Sequence, residues 1–306
     1  MRAWAELENG QNKKALADIK LMLRLVDSVR NEPFLITHLV RIAMMDITMQ
    51  PIWLGQVNHY WTDAQLADVD AELAKLDFLA DYKLSMRGEK VGAIATMESL
   101  RKRPSYKKLA QIIGPFESMS GWPEQVNLNH GAELYWLIPS GWYYQNELAI
   151  AKMHEQWLQK MTDENKHLVF PELNEEAESF AAAWKPRPWN IVAYQLFPAL
   201  KYSALKFARA QSGVDLARIA CALERYHLAR GIYPEKLNEL SPQFIKSIPY
   251  DVTVGQPLHY HRTEDGRFML YSVGWNKKDD GGVVGRRASG SLNPELGDWV
   301  WQYPTN

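Results

Sequence analysis

The chain has 306 residues, of which 46% are hydrophobic and 23% charged, and its formal net charge is −1. This length allows two domains, and the composition is typical of a globular protein with a hydrophobic core. The near-neutral charge excludes an electrostatic basis for binding nucleic acid or an anionic membrane, and the single cysteine, Cys221, excludes an intrachain disulfide.

No apolar run reaches the roughly 18–20 residues that a membrane span needs. The richest run, 34–45, is interrupted by His38 and Arg41. The first residues, MRAWAELENG, do not form a signal peptide, because a charged segment without an apolar stretch follows them. We expect a cytoplasmic protein if Met1 is the native start, and an envelope or periplasmic protein if an anchor upstream of Met1 has been removed.

The first part of the chain, up to about residue 113, is predicted to consist of helices joined by short turns. Residues 34–49 form one of them, and Pro51 is expected to start the next. Thr62 and Gln65 then form a capping-box pattern, which predicts the start of another helix. The residues expected on the apolar face of the 34–49 helix are Leu35, Leu39, Ile42, Ala43 and Ile47.

His130 and Glu133 stand three residues apart, after a glycine- and proline-containing stretch at 114–128 that predicts a surface loop. On a helix two residues at this spacing share a face, so they could hold a metal ion or serve as the catalytic pair of a hydrolase. No third ligand follows at a fixed spacing, and a pair of this kind also arises by chance. The catalytic interpretation is therefore an alternative.

An aromatic group surrounds the chain break at Pro139-Ser140-Gly141. Side chains near such a break often line a groove between helices, which predicts a ligand or peptide groove; core packing at the seam is the other interpretation. The four residues of this group are Trp136, Trp142, Tyr143 and Tyr144.

The segment Lys185-Pro186-Arg187-Pro188 cannot be helical throughout, because a residue before proline is disfavoured in the helical region. We therefore predict a helical domain at 1–188 and a second segment at 189–306. The second segment is expected to hold a long helix and a small antiparallel sheet.

The second segment contains one long amphipathic helix, which is expected to stop at Gly231 and turn through Pro234. The pattern then changes to period two, and Glu264-Asp265-Gly266 predicts a hairpin turn between two strands. The sequence DWVWQY at 298–303 is expected to add a third strand. The apolar face of the helix is predicted to carry Leu216, Ile219, Ala220, Leu223, Tyr226 and Leu228.

Three stretches of this segment occur in a specific order. They are an AxxxxALERYxLxxGxYP signature (Ala217, 222–226, Leu228, Gly231, Tyr233, Pro234), a G-x-P-L-x-Y strand start (Gly255, Pro257, Leu258, Tyr260), and YSVG at 271–274 with DDGG at 279–282. Together they resemble the C-terminal part of the major pseudopilin of type II secretion systems. The whole chain resembles uncharacterised bacterial envelope proteins that append this module to a helical domain. Because the module is internal here, the resemblance implies only the helix-and-sheet part of the pseudopilin.

The resemblance also implies a calcium site. In pseudopilins the loop that corresponds to 279–282 binds calcium through carboxylates and carbonyls, and the matching residues here are Asp279 and Asp280. The alternative is a solvated acidic turn, since Lys277 and Lys278 lie beside it. No other cofactor is expected.

Two further residues receive structural interpretations. Cys221 is expected to be a buried, inert thiol. His59, beside Tyr60 and Trp61, is interpreted as part of a packing cluster at a helix end.

The predicted fold class is mainly α with a small C-terminal antiparallel sheet, in which a helical bundle or solenoid-like domain precedes the pseudopilin-like module. The predicted function is a non-catalytic, envelope-associated interaction protein with an unidentified protein partner. The alternative is a hydrolase whose site lies between the helical domain and the C-terminal module. A hydrolase should show converging titratable side chains in a pocket, whereas an interaction protein should show an exposed apolar groove or patch.

Overall fold

The computed structural model describes residues 2–103, 139–187 and 189–301, and within them the fold is mainly helical with small antiparallel sheets, as predicted. The helices are α1 (Arg2–Glu8), α2 (Asn12–Ser28), α3 (Leu35–Val57), α4 (Asp63–Leu73), α5 (Phe78–Lys102), α6 (Ser140–Gln156), α7 (Pro171–Ala183), α8 (Ile191–Lys201) and α9 (Ser203–Arg230). The strands are β1 (Thr162–Asp163), β2 (Leu168–Val169), β3 (His259–Arg262), β4 (Phe268–Ser272), β5 (Val284–Arg286), β6 (Leu292–Gly297) and β7 (Trp299–Trp301). Short 3-10 helices lie at Leu158–Lys160 and Leu237–Leu240.

Helix α9 packs against elements from both parts of the chain. It contacts α3, α4 and α5 from the first part of the chain, and β4 and β7 from the last part. The segment from residue 189, predicted to lead into one long helix, instead forms two helices, α8 and α9, and residues from Ser203 onward lie in the core. The end of α9 is as predicted: Gly231 has φ 76°, and its N–H donates to the carbonyl of His227.

Helix α3 differs from the prediction in two ways. Pro51 does not start a new helix but lies inside α3, where Pro51 and Ile52 are both buried. Core packing on either side therefore outweighs the hydrogen bond that a proline removes. The apolar face was also partly wrong, because Ala43 and Ile47 are exposed.

The capping prediction for α4 is confirmed. The Thr62 side chain accepts from the N–H of Gln65, and the Gln65 side chain accepts from the N–H of Thr62. The next helix, α5, is capped in a similar way by Asp77, whose carboxylate accepts from the N–H groups of Leu79 and Ala80.

The predicted hairpin and last strand form one antiparallel sheet in the order β3-β4-β7. Leu270 in the central strand lies opposite Tyr260 on one side and Trp301 on the other. The sheet is tied to the end of α9 by side chains of β3: the Tyr260 hydroxyl donates to the carbonyl of Pro234, and the Arg262 guanidinium to that of Tyr233. The chain that leaves the helix is thereby fixed against the strands that follow it.

A second hairpin, β5 with β6, was not predicted, because its segment is polar and glycine-rich. It is closely packed at two glycines. A Cβ at Gly285 would collide with the backbone of Leu296, and a Cβ at Gly297 with the backbone of Gly285 and Val283. Pairing of the backbone, rather than side-chain periodicity, identifies these strands.

The hydrophobic core is continuous from α1 to β7 in the described residues. The predicted domain boundary falls at Pro188, which lies outside them, and the division at 188 stays a prediction. No helix in the described ranges combines the length and the apolar character that a bilayer crossing requires.

Candidate functional site

The predicted calcium loop follows β4, and its two acidic side chains have protein partners. Asp279 accepts hydrogen bonds from the N–H of Gly281 at 2.9 Å and from the hydroxyl of Tyr271 at 3.0 Å, and these bonds lower the pKa of Asp279. Its other oxygen lies 3.3 Å from Nδ1 of His259. Protein groups thus contact both oxygens of this carboxylate, which is 47% exposed.

Asp280 points to different partners. Its carboxylate accepts from the side-chain amide of Asn276 at 2.9 Å and lies 3.5 Å from Nζ of Lys278. The loop backbone is held by a third acid, Asp298, which is fully buried and accepts from the N–H of Gly282 at 2.6 Å. Calcium binding by Asp279 and Asp280 stays a prediction, and an ion there would have to displace the ammonium group of Lys278 from Asp280.

The structure divides the predicted aromatic group between core and surface. Tyr143 is buried on α6 and meets Trp142 edge to face, with 4.9 Å between the ring centroids. Tyr144 is exposed, and the guanidinium of Arg101 lies over its ring at 5.0 Å. The fourth member, Trp136, lies outside the described residues, as do His130 and Glu133 of the alternative catalytic pair.

Cys221 is buried, as predicted. Its thiol is completely enclosed on α9, and this burial raises its pKa far above the ordinary range. The side-chain amide of Gln56, in α3, contacts the sulfur at 3.0 Å. A nucleophilic role needs a thiolate, which this environment disfavours.

A cluster that the sequence analysis missed brings together His59, Glu224 and His227. One potential ligand atom from each side chain lies within 4.8 Å of the others. His59 follows the end of α3, whereas Glu224 and His227 stand three residues apart on α9 and therefore share a face. The Glu-x-x-His spacing was a visible signal, but the third member is 165 residues away in sequence from Glu224.

Short contacts hold this cluster together. Nδ1 of His59 lies 2.5 Å from Oε1 of Glu224, and the hydroxyl of Tyr233 donates to Oε2 of Glu224 at 2.9 Å. The ring of His227 stacks between those of His59 and Tyr233, with centroids at 5.3 Å and 4.6 Å. The interpretation of His59 as a helix-end packing residue thus omitted its contact with a buried carboxylate.

A groove lies between α3, α9 and the β5–β6 hairpin, where the helical part meets the C-terminal strands. Its two connected parts have volumes of about 440 Å³ and 260 Å³ and share Asp46, Arg209, Ala210 and Pro294. Most of the other lining side chains are apolar: Leu39, Ile42, Met45, Met49, Leu205, Leu216, Leu292, Leu296, Trp299 and Trp301. The groove is therefore suited to apolar side chains of a ligand or partner.

An exposed apolar stripe borders this groove. Ile36, Val40 and Ile47 on α3 are 67%, 50% and 54% exposed, and the exposed Ala43, which lies between them in sequence, also lines the groove. These positions are the ones left outside when Leu35, Ile42 and Met45 turn inward. Isolated exposed apolar residues are common, but four on one helix face form a patch.

No family model matches the chain, and comparisons with curated proteins and with solved structures likewise found no match.

Proposed function

We propose that the chain is a non-catalytic, envelope-associated interaction protein whose C-terminal module is pseudopilin-like, and that it binds an amphipathic helix of a partner protein. The single observation that carries the interaction role is the exposed stripe of α3 beside an apolar groove. Compartment and module rest on the sequence resemblance. The order of helix, Gly231 turn and three-stranded sheet supports that resemblance.

The spacing of the stripe favours a helical partner. Ile36, Val40, Ala43 and Ile47 follow one another at intervals of four, three and four residues, which is the spacing of a helix-packing seam. A partner helix can place its own apolar residues along such a seam and into the adjoining groove. This is the helix-in-groove mode of recognition, in which anchors at i, i+3 or i+4 and i+7 supply most of the affinity.

Charge around the groove specifies the partner further. The exposed side chains of Lys206 and Arg209 on α9 and of Arg286 on β5 stand beside it, and none of the three forms an ion pair with another described residue. We therefore expect acidic residues beside the apolar anchors of the partner helix. Such charges set orientation and association rate more than affinity.

The polar groups of the groove favour binding over chemistry. Asp298 is committed to the backbone of the 279–282 loop, since both of its oxygens accept N–H groups there. The other charged side chains of the groove are Asp46, Lys206, Arg209 and Arg286. One carboxylate among three cations does not make up the nucleophile, base and oxyanion donors of a hydrolase.

The proposal is tested by site-specific photo-crosslinking in the native cells. A photoreactive residue is placed at Ile47 on the stripe, at Leu292 on the hairpin side of the groove, or at Val91, a 64% exposed apolar residue of α5 that lines neither part of the groove. We expect Ile47 and Leu292 to capture the same partner in the envelope fraction and Val91 to capture little of it.

A charge reversal completes the test. Arg209→Glu should remove most of the adduct at Ile47, because it places a negative charge opposite the acidic residues expected in the partner. If Val91 captures as much of the partner as Ile47 does, or if Arg209→Glu leaves the adduct at Ile47 unchanged, the groove is not the binding surface. Capture of a second copy of the chain would mean self-association, and a cytosolic partner would refute the envelope assignment.

A further inference from the structure

We propose that His59, Glu224 and His227 bind one divalent transition-metal ion of the zinc class. The site is separate from the groove: its ligands come from the end of α3 and the C-terminal part of α9, and its outer partner Tyr233 follows α9. The proposal does not depend on the interaction role, because the two rest on different residues.

The positions of the ligand atoms fit a single ion. A tetrahedral ion with bonds of about 2.0–2.1 Å holds its ligand atoms roughly 3.3 Å apart. The three side chains offer atoms within 4.8 Å of one another, which is close to that spacing. The contact between His59 and Glu224, at 2.5 Å, has to lengthen when an ion comes between them.

The backbone holds the ligands in place from two rigid elements. Glu224 and His227 belong to α9 and lie about two turns and one turn before its Gly231 end. His59 has φ 54°, an uncommon value for a residue other than glycine, and its N–H is bonded to the carbonyl of Gln56. Uncommon backbone conformations occur more often at functional sites, because the surrounding fold has to maintain them.

The charge of Glu224 calls for a cation. Its side chain is only 2% exposed, and its polar contacts among the described residues are the imidazole of His59 and the hydroxyl of Tyr233. A buried carboxylate is costly unless it is paired, and an imidazole carries a positive charge only when protonated. A divalent ion would supply that charge permanently.

An unpartnered nitrogen points to the same conclusion. Nδ1 of His227 is buried and has no hydrogen-bond partner among the described residues. Buried polar atoms are almost always satisfied, so an exception in this position needs an explanation. A metal bound through Nδ1 of His227 would satisfy it, and the Tyr233 hydroxyl already orients the Glu224 carboxylate as an outer-sphere partner does.

The donor set selects the class of ion. Two imidazole nitrogens and one carboxylate oxygen suit zinc and its first-row neighbours, whereas calcium and magnesium prefer oxygen ligands alone. The His59 side chain is 48% exposed, so solvent can reach the fourth coordination position. The site thus has the three-ligand form of zinc centres that keep one position open.

The test is a zinc titration of the purified full-length chain after treatment with a chelator, in competition with a chromophoric indicator. We expect one ion per chain, and with Co²⁺ as a second probe we expect the intense visible absorption of a four-coordinate site. His59→Gln and His227→Gln should each weaken zinc binding at least about 100-fold, the upper end of what even outer-sphere partners contribute.

His261→Gln is the matched control, because His261 is an exposed histidine on β3 that lies outside the cluster. Its zinc affinity should equal that of the wild type. His59→Gln changes a half-exposed residue and should keep the fold, which the helical circular dichroism of the apo variant verifies. Absence of one-to-one zinc binding by the wild type, or an equal loss in His261→Gln, overturns the proposal, as does tight binding that survives both cluster variants.

Discussion

Asp215→Asn should remove a large part of the pH dependence of folding stability between about pH 4 and pH 7. Asp215 lies on α9 and is 3% exposed. Its Oδ1 accepts a hydrogen bond from the side-chain amide of Gln211 at 3.2 Å, whereas Oδ2 is buried without a partner among the described residues. Burial raises the pKa of this carboxyl from its ordinary 3.8 to about 7.

The direction and the magnitude of this change in folding stability follow from proton linkage. Because the pKa is higher in the folded state, the folded chain holds a proton that the unfolded chain releases above about pH 4, and the free energy of unfolding falls as the pH rises to about 7. Roughly three pKa units at about 1.4 kcal/mol each give a loss of about 4 kcal/mol. Asparagine keeps the oxygen that Gln211 contacts and does not titrate. The variant should therefore gain about 4 kcal/mol over the wild type between pH 4 and pH 8.

The assay is urea unfolding of both proteins at pH 4, 6 and 8, with the difference in unfolding free energy compared across pH. Asp68→Asn serves as the control, because Asp68 is exposed on α4, and its difference from the wild type should change little with pH. If the difference in unfolding free energy between Asp215→Asn and the wild type also changes little with pH, the buried carboxyl does not titrate as argued, and the reasoning from its burial is wrong.

His154 should produce the opposite pH dependence of stability. Its side chain is fully buried, and neither ring nitrogen has a partner among the described residues. This burial lowers the pKa of His154 from 6.5 to about 4. The wild type should lose about 3 kcal/mol as the pH falls through that window, and urea unfolding of His154→Leu should lack this loss. Gly55→Ala should lower the stability by about 1–3 kcal/mol in thermal unfolding, because its Cβ would collide with the buried Trp61 indole, whereas Gly92→Ala on α5 has open space and should not. The pseudopilin resemblance predicts that calcium raises the melting temperature of the wild type more than that of Asp279→Asn, and equal shifts would contradict the site.

Features set by neighbouring residues could be predicted from the sequence. The end of α9 at Gly231 and the hairpin turn at 264–266 depend on local backbone preferences, which the residue types themselves reveal. The continuation of α3 through Pro51 could not be predicted, because it depends on how deeply Ile52 and its neighbours are buried by other helices. Tertiary packing keeps α3 helical through Pro51, although proline has a low helix propensity.

The candidate sites show the same limit. The spacing of Glu224 and His227 is visible in the sequence, but the position of His59 beside them depends on the packing of α3 against α9. For the acidic loop, the sequence indicates the carboxylates of Asp279 and Asp280 but not that His259 reaches the first of them. No local sequence pattern predicts a contact between residues that are far apart in the chain.

Helix α9 has one practical consequence for anyone who works with parts of this chain. Because it is covered by α3, α4 and α5 on one side and by the strands on the other, a fragment that starts at residue 189 would carry the helix with that first side bare. Such a fragment would display Ala217, Cys221 and other normally enclosed side chains to water, and should aggregate.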